Sequence, residues 1–329
     1  MEETQQEVQS RFHEMIDQAS DICVLGHIGP DGDCLGSTLA VRNYIAERCR
    51  RQGAKKKVQV YLEAFSSKFD YLPGASGICS DTKAKGRYDL AIICDCADAK
   101  RLGPFAHFME TAKHTFCLDH HVTNDGFANV CVIRPDASST CEVLFDLLDH
   151  AFLTRETAEC IYTGIIHDTG VFRYSSTSAH TMEIAGACMK FGFDFGAIID
   201  DSFFSMSYPQ KLALGRVLSE MRSYLDGRLV TSFIDRKTMN FYGVTGKEMD
   251  GIIDQMGTTR GALCALFQYE TLGHQFKISM RSNSDALNVA AIAQKFGGGG
   301  HVKAAGCFMG MDPEENIKRI TAEVEKQIG

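Results

Sequence analysis

Four short strand-like runs recur through the first half of the chain, at residues 21–25 (DICVL), 57–62 (KVQVYL), 89–94 (DLAIIC) and 114–118 (HTFCL), with a shorter one at 131–133; the second alternates as a strand should and the other three read as buried. Between and after them, apolar residues return at helical spacing, from about residue 37 and over 140–150, 156–168 and 178–191. Strands that are apolar along their whole length must be covered on both faces, and strands that alternate with helices obtain that cover from the helices. The pattern predicts an α/β fold with a doubly wound, mainly parallel sheet over residues 1–190.

Beyond it the pattern changes. Residues 191–224 carry helical spacing and no strand run, and read as a helical linker. Over 225–329 strands near 228–235, 261–269 and 275–280 come largely together, with helices near 247–256, 285–296 and 312–327. That order predicts a smaller α+β domain. A length of 329 residues agrees with about two domains.

Charge and cysteine usage restrict the partners. The formal net charge is −8, and a long duplex needs a broad basic face, so no long duplex nucleic acid is expected as a partner. The densest basic run, Arg50-Arg51 with Lys55-Lys56-Lys57, reads as a solvated edge. Thirteen cysteines without a C-x-x-C pair predict reduced thiols used as small apolar residues, and a cytoplasmic location. Cys94 and Cys96, two apart, would share a face if both lay on one strand. The opening residues are polar and acidic, unlike a signal peptide, and no run reaches the length of a membrane span.

The chemistry gathers where the apolar runs end. The first is followed by Gly26-His27-Ile28-Gly29-Pro30-Asp31-Gly32-Asp33, the third by Asp95 with Asp98 close behind, and the fourth by Asp119-His120-His121. Asp168 closes a helical segment, where the helix dipole disfavours a carboxylate and calls for a compensating cation. Taken singly, each piece has a plain structural reading: the aspartates as turn formers, Asp95 as a helix cap, the histidines as satisfied polar groups. Together they lie where an open α/β sheet binds ligands, at the carboxyl ends of its strands. Carboxylates so crowded raise one another's pKa values unless cations offset them. Oxygen-rich ligation with some imidazole suits Mn2+ or Mg2+. A pair of such ions about 3.5–4 Å apart can clamp a phosphate and activate water. A dinucleotide-binding turn is excluded, because Ile28 stands where G-x-G-x-x-G needs its middle glycine.

In the second half, Gly297-Gly298-Gly299-Gly300-His301 reads as a loop whose backbone can approach an anion. Arg281, at the end of a predicted strand, would pair with His301 on a phosphate.

These residues resemble a known family. The series His27, Asp31, Asp33, Asp95, Asp119-His120-His121 and Asp168 resembles the four motifs of the DHH phosphoesterase superfamily. Arg281-Ser282, Asn288, Gly297–Gly300 with His301, and Ala304-Ala305-Gly306 resemble its DHHA1 domain. The resemblance implies two divalent cations, Mn2+ foremost and Mg2+ as the other candidate. His27, Asp31 and Asp95 would hold one, and Asp33, Asp95, His120 and Asp168 the other, with Asp95 bridging. It further implies that Asp119 orients His120, that His121 faces the scissile phosphate, and that Arg281, Ser282, Asn288, Gly299 and His301 hold the substrate's terminal nucleotide or phosphate. The compact layout is similar to the branch of bifunctional oligoribonucleases and pAp phosphatases. That implies hydrolysis of short RNA oligonucleotides to mononucleotides and of 3′-phosphoadenosine 5′-phosphate (pAp) to AMP, with substrate bound in a cleft between the domains. A soluble phosphodiesterase of linear or cyclic dinucleotides would use the same site and stays open here. A nucleotide-binding sensor without catalysis would have lost ligands, and none is missing. A homodimer is expected from the frequency of such assemblies.

Overall fold

The apolar runs of the first half build one sheet in the computed structural model, which describes residues 4–249, 251–310 and 312–328. Helix α1 (Gln5–Gln18), capped by Thr4, leads into β1 (Asp21–Leu25), α2 (Gly32–Gln52), β2 (Lys57–Tyr61), β3 (Leu90–Cys94), α3 (Ala106–Thr111), β4 (His114–Asp119) and β5 (Val130–Ile133). All five strands are parallel, in the order β2-β1-β3-β4-β5. Four helices follow: α4 (Thr140–Leu147), α5 (Arg155–Asp168), α6 (Ala179–Met189) and α7 (Phe195–Ile199).

Alternate residues of each strand enter different cores, the period-two signature of a sheet covered on both sides. Ile22, Val24, Leu90, Ile92 and Phe116 pack with Leu35 and Leu39 of α2, Leu144 of α4 and Ile161 and Ile165 of α5. Cys23, Leu25, Ala91, Ile93 and Cys117 face the other way, onto Phe105 and Phe108. Cys94 joins the first core and Cys96 the second, so the two do not share a face. The strand ends at Cys94 and Asp95 adopts φ 56, which turns the chain between them. Helix α2 begins at Gly32, earlier than the glycine-rich sequence suggests, because the Asp31 side chain caps it.

The stretch 191–224 divides between two compact units, one ending at Phe204 and the other beginning at Ser205. Phe193 and Ile198 lie in the first core. Ala213 and Val217 of α8 (Tyr208–Ser219) lie in a core of the second unit, and β6 (Arg222–Tyr224) is a strand where none was expected.

The second unit continues with β7 (Leu229–Ile234), α9 (Arg236–Tyr242), α10 (Ile252–Gly257), β8 (Cys264–Glu270), β9 (Phe276–Ser282), α11 (Val289–Lys295), β10 (Gly299–His301), β11 (Ala304–Met309) and α12 (Pro313–Ile328). Its six-stranded sheet has the order β10-β11-β9-β8-β7-β6, with only the β7–β8 pair parallel. Helices α11 and α12 cover one face through Ile292, Ile320 and Val324, against Leu266, Ile278 and Met280. The opposite face is covered over β7 and β8, where Val230, Ala265 and Phe267 meet Val217 and Met256.

Three residues of the basic run are paired within the chain: Arg50 and Arg51 both bind Glu47, and the Lys56 ammonium donates to the carbonyls of Asp17 and Ala19. All thirteen cysteines are free. Among the described residues no helix is long and apolar enough to cross a membrane.

Candidate metal centre and substrate platform

In the order β2-β1-β3-β4-β5 the chain reverses direction across the sheet between β1 and β3, and ligands bind at the carboxyl ends beside such a reversal. His27 lies two residues past β1, Asp95 directly after β3, and Asp119 closes β4 with His120 and His121 behind it. The His27 Nδ1 is 2.9 Å from the Ile28 carbonyl, which fixes the proton there and turns Nε2 inward. That Nε2 lies 3.3 Å from Asp95 Oδ2 and 3.7 Å from Asp31 Oδ1. The other Asp95 oxygen, Oδ1, lies 3.7 Å from His120 Nε2 and 3.6 Å from His121 Nδ1. It also accepts a hydrogen bond from Thr140 Oγ1 at 3.1 Å. Asp168 Oδ2 is 3.0 Å from His120 Nε2, so the imidazole stands where the helix dipole called for a cation.

Asp33 is fully buried. Its oxygens accept from the Thr140 and Cys141 amides at 2.6 and 3.0 Å, at the positive end of α4. Gly164 leaves room for it, since a Cβ there would lie 2.5 Å from Asp33 Oδ1. The donors fall into three overlapping sets, each within 4.8 Å: His27, Cys34 and Asp95; Asp95, His120 and His121; Asp33, His120 and Asp168. Nitrogen and carboxylate oxygen dominate, the donor chemistry of a hard or borderline divalent cation. Cys34 is the exception. Burial, with the charges of Asp95 and Asp31, pushes its thiol well up, so it stays protonated beside the cluster.

Proton affinities in the cluster show charge crowding. Burial and the nearby Asp168 and Asp95 raise the Asp33 carboxyl well above its ordinary value. Burial also raises Asp168, to about 6, although His120 opposes the rise. Burial works against a charged His27, but hydrogen bonds to Asp31 and Asp95 outweigh it and raise the imidazole to about 10. His120 is likewise raised to about 10 against its burial, by its hydrogen bond to Asp168 and the charge of Asp33. A cluster that holds protons in this way releases them when a divalent cation takes the same donors.

The site corrects one expected role. Asp119 does not hold the His120 ring: its Oδ1 is 2.7 Å from His121 Nδ1 and takes only the backbone amide of His120, at 2.9 Å. Its Oδ2 accepts from Asn124 Nδ2 at 2.7 Å. The chain turns as β4 ends, sending the His120 ring to Asp168 and the His121 ring back over Asp119. Asp95 is not a helix cap; the nearby cap is Asp98, which accepts from the Lys100 and Arg101 amides.

Sequence reasoning missed Thr140, Asn124 and His167. Ser139-Thr140-Cys141-Glu142 has the form of a helix start, and helix starts bind anions, so Thr140 had a signal. His167 packs between Phe69 and Phe203 with its Nε2 buried and unpartnered, and burial lowers its pKa to about 4.

The second-unit residues divide. Ser282 is turned inward, its hydroxyl 2.9 Å from each of the Ser284 and Leu287 carbonyls. Asn288 caps α11 through the Ala291 amide, and its own amide donates to Gln327 Oε1. Both therefore shape the loop before α11. Arg281 is half-buried, its Nε 2.8 Å from Asp254 Oδ1. The glycine run is no loose loop: Gly299, Gly300 and His301 form β10, an edge strand paired with Gly306, Ala305 and Ala304 of β11. Gly299 and His301 are exposed, and an open depression is lined by Arg281, Gly297–Gly300 and Gly306 among others.

The geometry agrees with known proteins. The DHH family, N-terminal domain, matches residues 21–165, and the DHHA1 domain matches 226–329. The chain is 26% identical over 313 residues to the bifunctional oligoribonuclease and PAP phosphatase NrnA of Thermus thermophilus, covering 93% of this chain and 90% of that one. A crystal structure of an exopolyphosphatase-related protein from Bacteroides fragilis is 25% identical and superposes with a TM-score of 0.85, over 98% of this chain and 96% of that one. The exonuclease RecJ bound to manganese shares the fold, with a TM-score of 0.54 at 14% identity over 98% of this chain and 94% of that one. With the two domains matched in this order and the motif residues gathered at the sheet's carboxyl edge, the chain belongs to the DHH family in its DHH–DHHA1 form.

Proposed function

We propose that the protein is a di-metal phosphoesterase that hydrolyses short oligoribonucleotides to mononucleotides and pAp to AMP. One observation carries the reading: Asp95 divides its oxygens, Oδ2 toward His27 and Oδ1 toward His120, His121 and Thr140. A carboxylate so placed can serve two ions at once. His27, Asp31 and Asp95 would hold one, and Asp33, Asp95, His120 and Asp168 the other, with Mn2+ the preferred metal. Such ions supply positive charge to phosphoryl oxygens and lower the pKa of water.

The remaining chemistry belongs to side chains. The Asp119 hydrogen bond, working against burial, raises the His121 pKa. With Nδ1 committed to Asp119, the extra proton sits on Nε2, where it can be donated to a phosphate or leaving oxygen. Arg281, His301 and the exposed backbone of Gly299 supply the donors for a terminal phosphate, which would take the place of Asp254 on the guanidinium. The kinship with a bifunctional oligoribonuclease and PAP phosphatase over nearly the whole length supports this substrate class. Free cysteines throughout support a reducing, cytoplasmic setting.

The test is release of AMP from pAp and of mononucleotides from di- to pentaribonucleotides, with Mn2+ and with Mg2+. Asp95→Ala and His120→Ala are expected to reduce release to background, and EDTA to stop the wild type. Full activity in either variant would refute the metal reading. Faster turnover of a cyclic dinucleotide than of pAp would reassign the substrate.

A further inference from the structure

The depression in the second unit continues past the residues assigned to the terminal phosphate. Strand β9 alternates buried and half-buried residues, so Lys277, Ser279 and Arg281 project to one face. Their register partners on β11, Phe308, Gly306 and Ala304, project to the same face. The helices that cover this face over β7 and β8 leave these residues accessible, and all six line one continuous open depression.

Its two ends differ. Arg281 stands at one, across the strands from Ala304 and His301. At the other, Lys277 is paired with Phe308, a residue 56% exposed. The middle is floored by small groups: Gly306 faces Ser279 on one side and Gly299 on the other. The Lys277 ammonium lies 5.7 Å from the Tyr269 ring, and among the described residues no carboxylate pairs with it. By contrast Lys295, Lys303 and Arg281 each have an acidic partner. An unpaired ammonium beside an exposed aromatic ring, on a chain of net charge −8, is complementary to a phosphate followed by a base. Lys277 and Arg281 lie four residue rises apart along the strand, about 13 Å. That is longer than the two phosphates of one nucleotide can bridge, and it suits a chain of several.

We propose that Lys277 and Phe308 form a second nucleotide subsite, used by oligoribonucleotides and out of reach of pAp. Lys277 takes an internucleotide phosphate and Phe308 stacks a base, while Gly306 and Gly299 let the chain lie close to the sheet. The inference rests on the phosphoesterase reading for its substrate, and it makes the site discriminate by length.

The experiment compares the full-length wild type with Lys277→Ala and Phe308→Ala on pAp and on a pentaribonucleotide, in Mn2+. Each variant is expected to raise the KM for the pentaribonucleotide about tenfold. The KM for pAp and both kcat values stay as in the wild type, and Lys277→Arg and Phe308→Tyr retain wild-type behaviour. Lys277→Ala also flattens the salt dependence of pentaribonucleotide binding by about 0.7 in log–log slope. An unchanged pentaribonucleotide KM, or an equal rise for pAp, overturns the subsite. Anisotropy of a labelled pentaribonucleotide in EDTA separates this from the catalytic reading. If the wild type binds it about tenfold more tightly than the variants in EDTA, yet hydrolyses nothing when Mn2+ is supplied, the function fails and the subsite stands. Equal binding, or none, overturns the subsite.

Discussion

Gly32, between Asp31 and Asp33, looks in sequence like a turn former. Its role is contact: a Cβ there would lie 2.1 Å from Cγ of His167. The start of α2, carrying both aspartates, is thus seated on a ring that neighbours Asp168. Gly32→Ala is expected to destabilise the first unit by about 1–3 kcal/mol, read as a lower melting temperature, and to lower metal affinity in a titration. The proposed ligands were legible because each follows an apolar run or closes a helix, places that the fold sends to one edge. The contacts that set them were not. Thr140 reaches Asp95 across 45 positions of sequence, and Asp33 is held by amides 107 and 108 positions away. His167 carries no pattern in sequence, since its surroundings come from Phe69 and Phe203 on distant segments.

Strand β10 shows the same limit for a whole element. Successive glycines have little strand propensity, and only pairing with β11 makes a strand of them. The four glycines then serve different ends. A Cβ on Gly300 would meet the Ala304 carbonyl oxygen at 2.5 Å, at φ 142, whereas one on Gly299 would meet nothing within 4 Å and would project into open space. Gly300→Ala should therefore lower the melting temperature of the second unit, with a loss of about 1–3 kcal/mol. Gly299→Val should leave stability within about 0.5 kcal/mol and raise the KM for pAp. Equal melting losses in the two variants would contradict this division. The strands of the first sheet needed no such help: β1, β3 and β4 each carry an apolar run, and their observed bounds lie within one residue of those read from sequence.

Each unit has its own sheet and its own cores. Calorimetry should resolve separate unfolding transitions, with Mn2+ raising only that of the first unit. The size of that rise should depend on pH. His27 and His120 are raised from 6.5 to about 10 and Asp168 from 3.8 to about 6, with Asp33 raised as well. Groups whose folded pKa is raised stabilise the fold at low pH and lose that contribution as pH rises to the folded value. Asp31, lowered from 3.8 to about 2, stabilises the fold above that range and loses its contribution only as pH falls through it, so it adds no slope at higher pH. In EDTA these groups should therefore make the first unit lose stability from about pH 4 to 10. The Mn2+ increment should grow over the same range, because the ion displaces protons that are then easier to remove; an increment independent of pH would contradict the assigned ligands. The division into units also bears on how such a chain can change over generations. Substitutions in widely separated, independent sites add in their effects on stability. The strand face that would measure oligonucleotide length can therefore drift toward new substrates without eroding the fold of the unit proposed to hold the ions. One inherited reaction centre can thus be fitted to many phosphate esters by changes confined to the other half of the molecule.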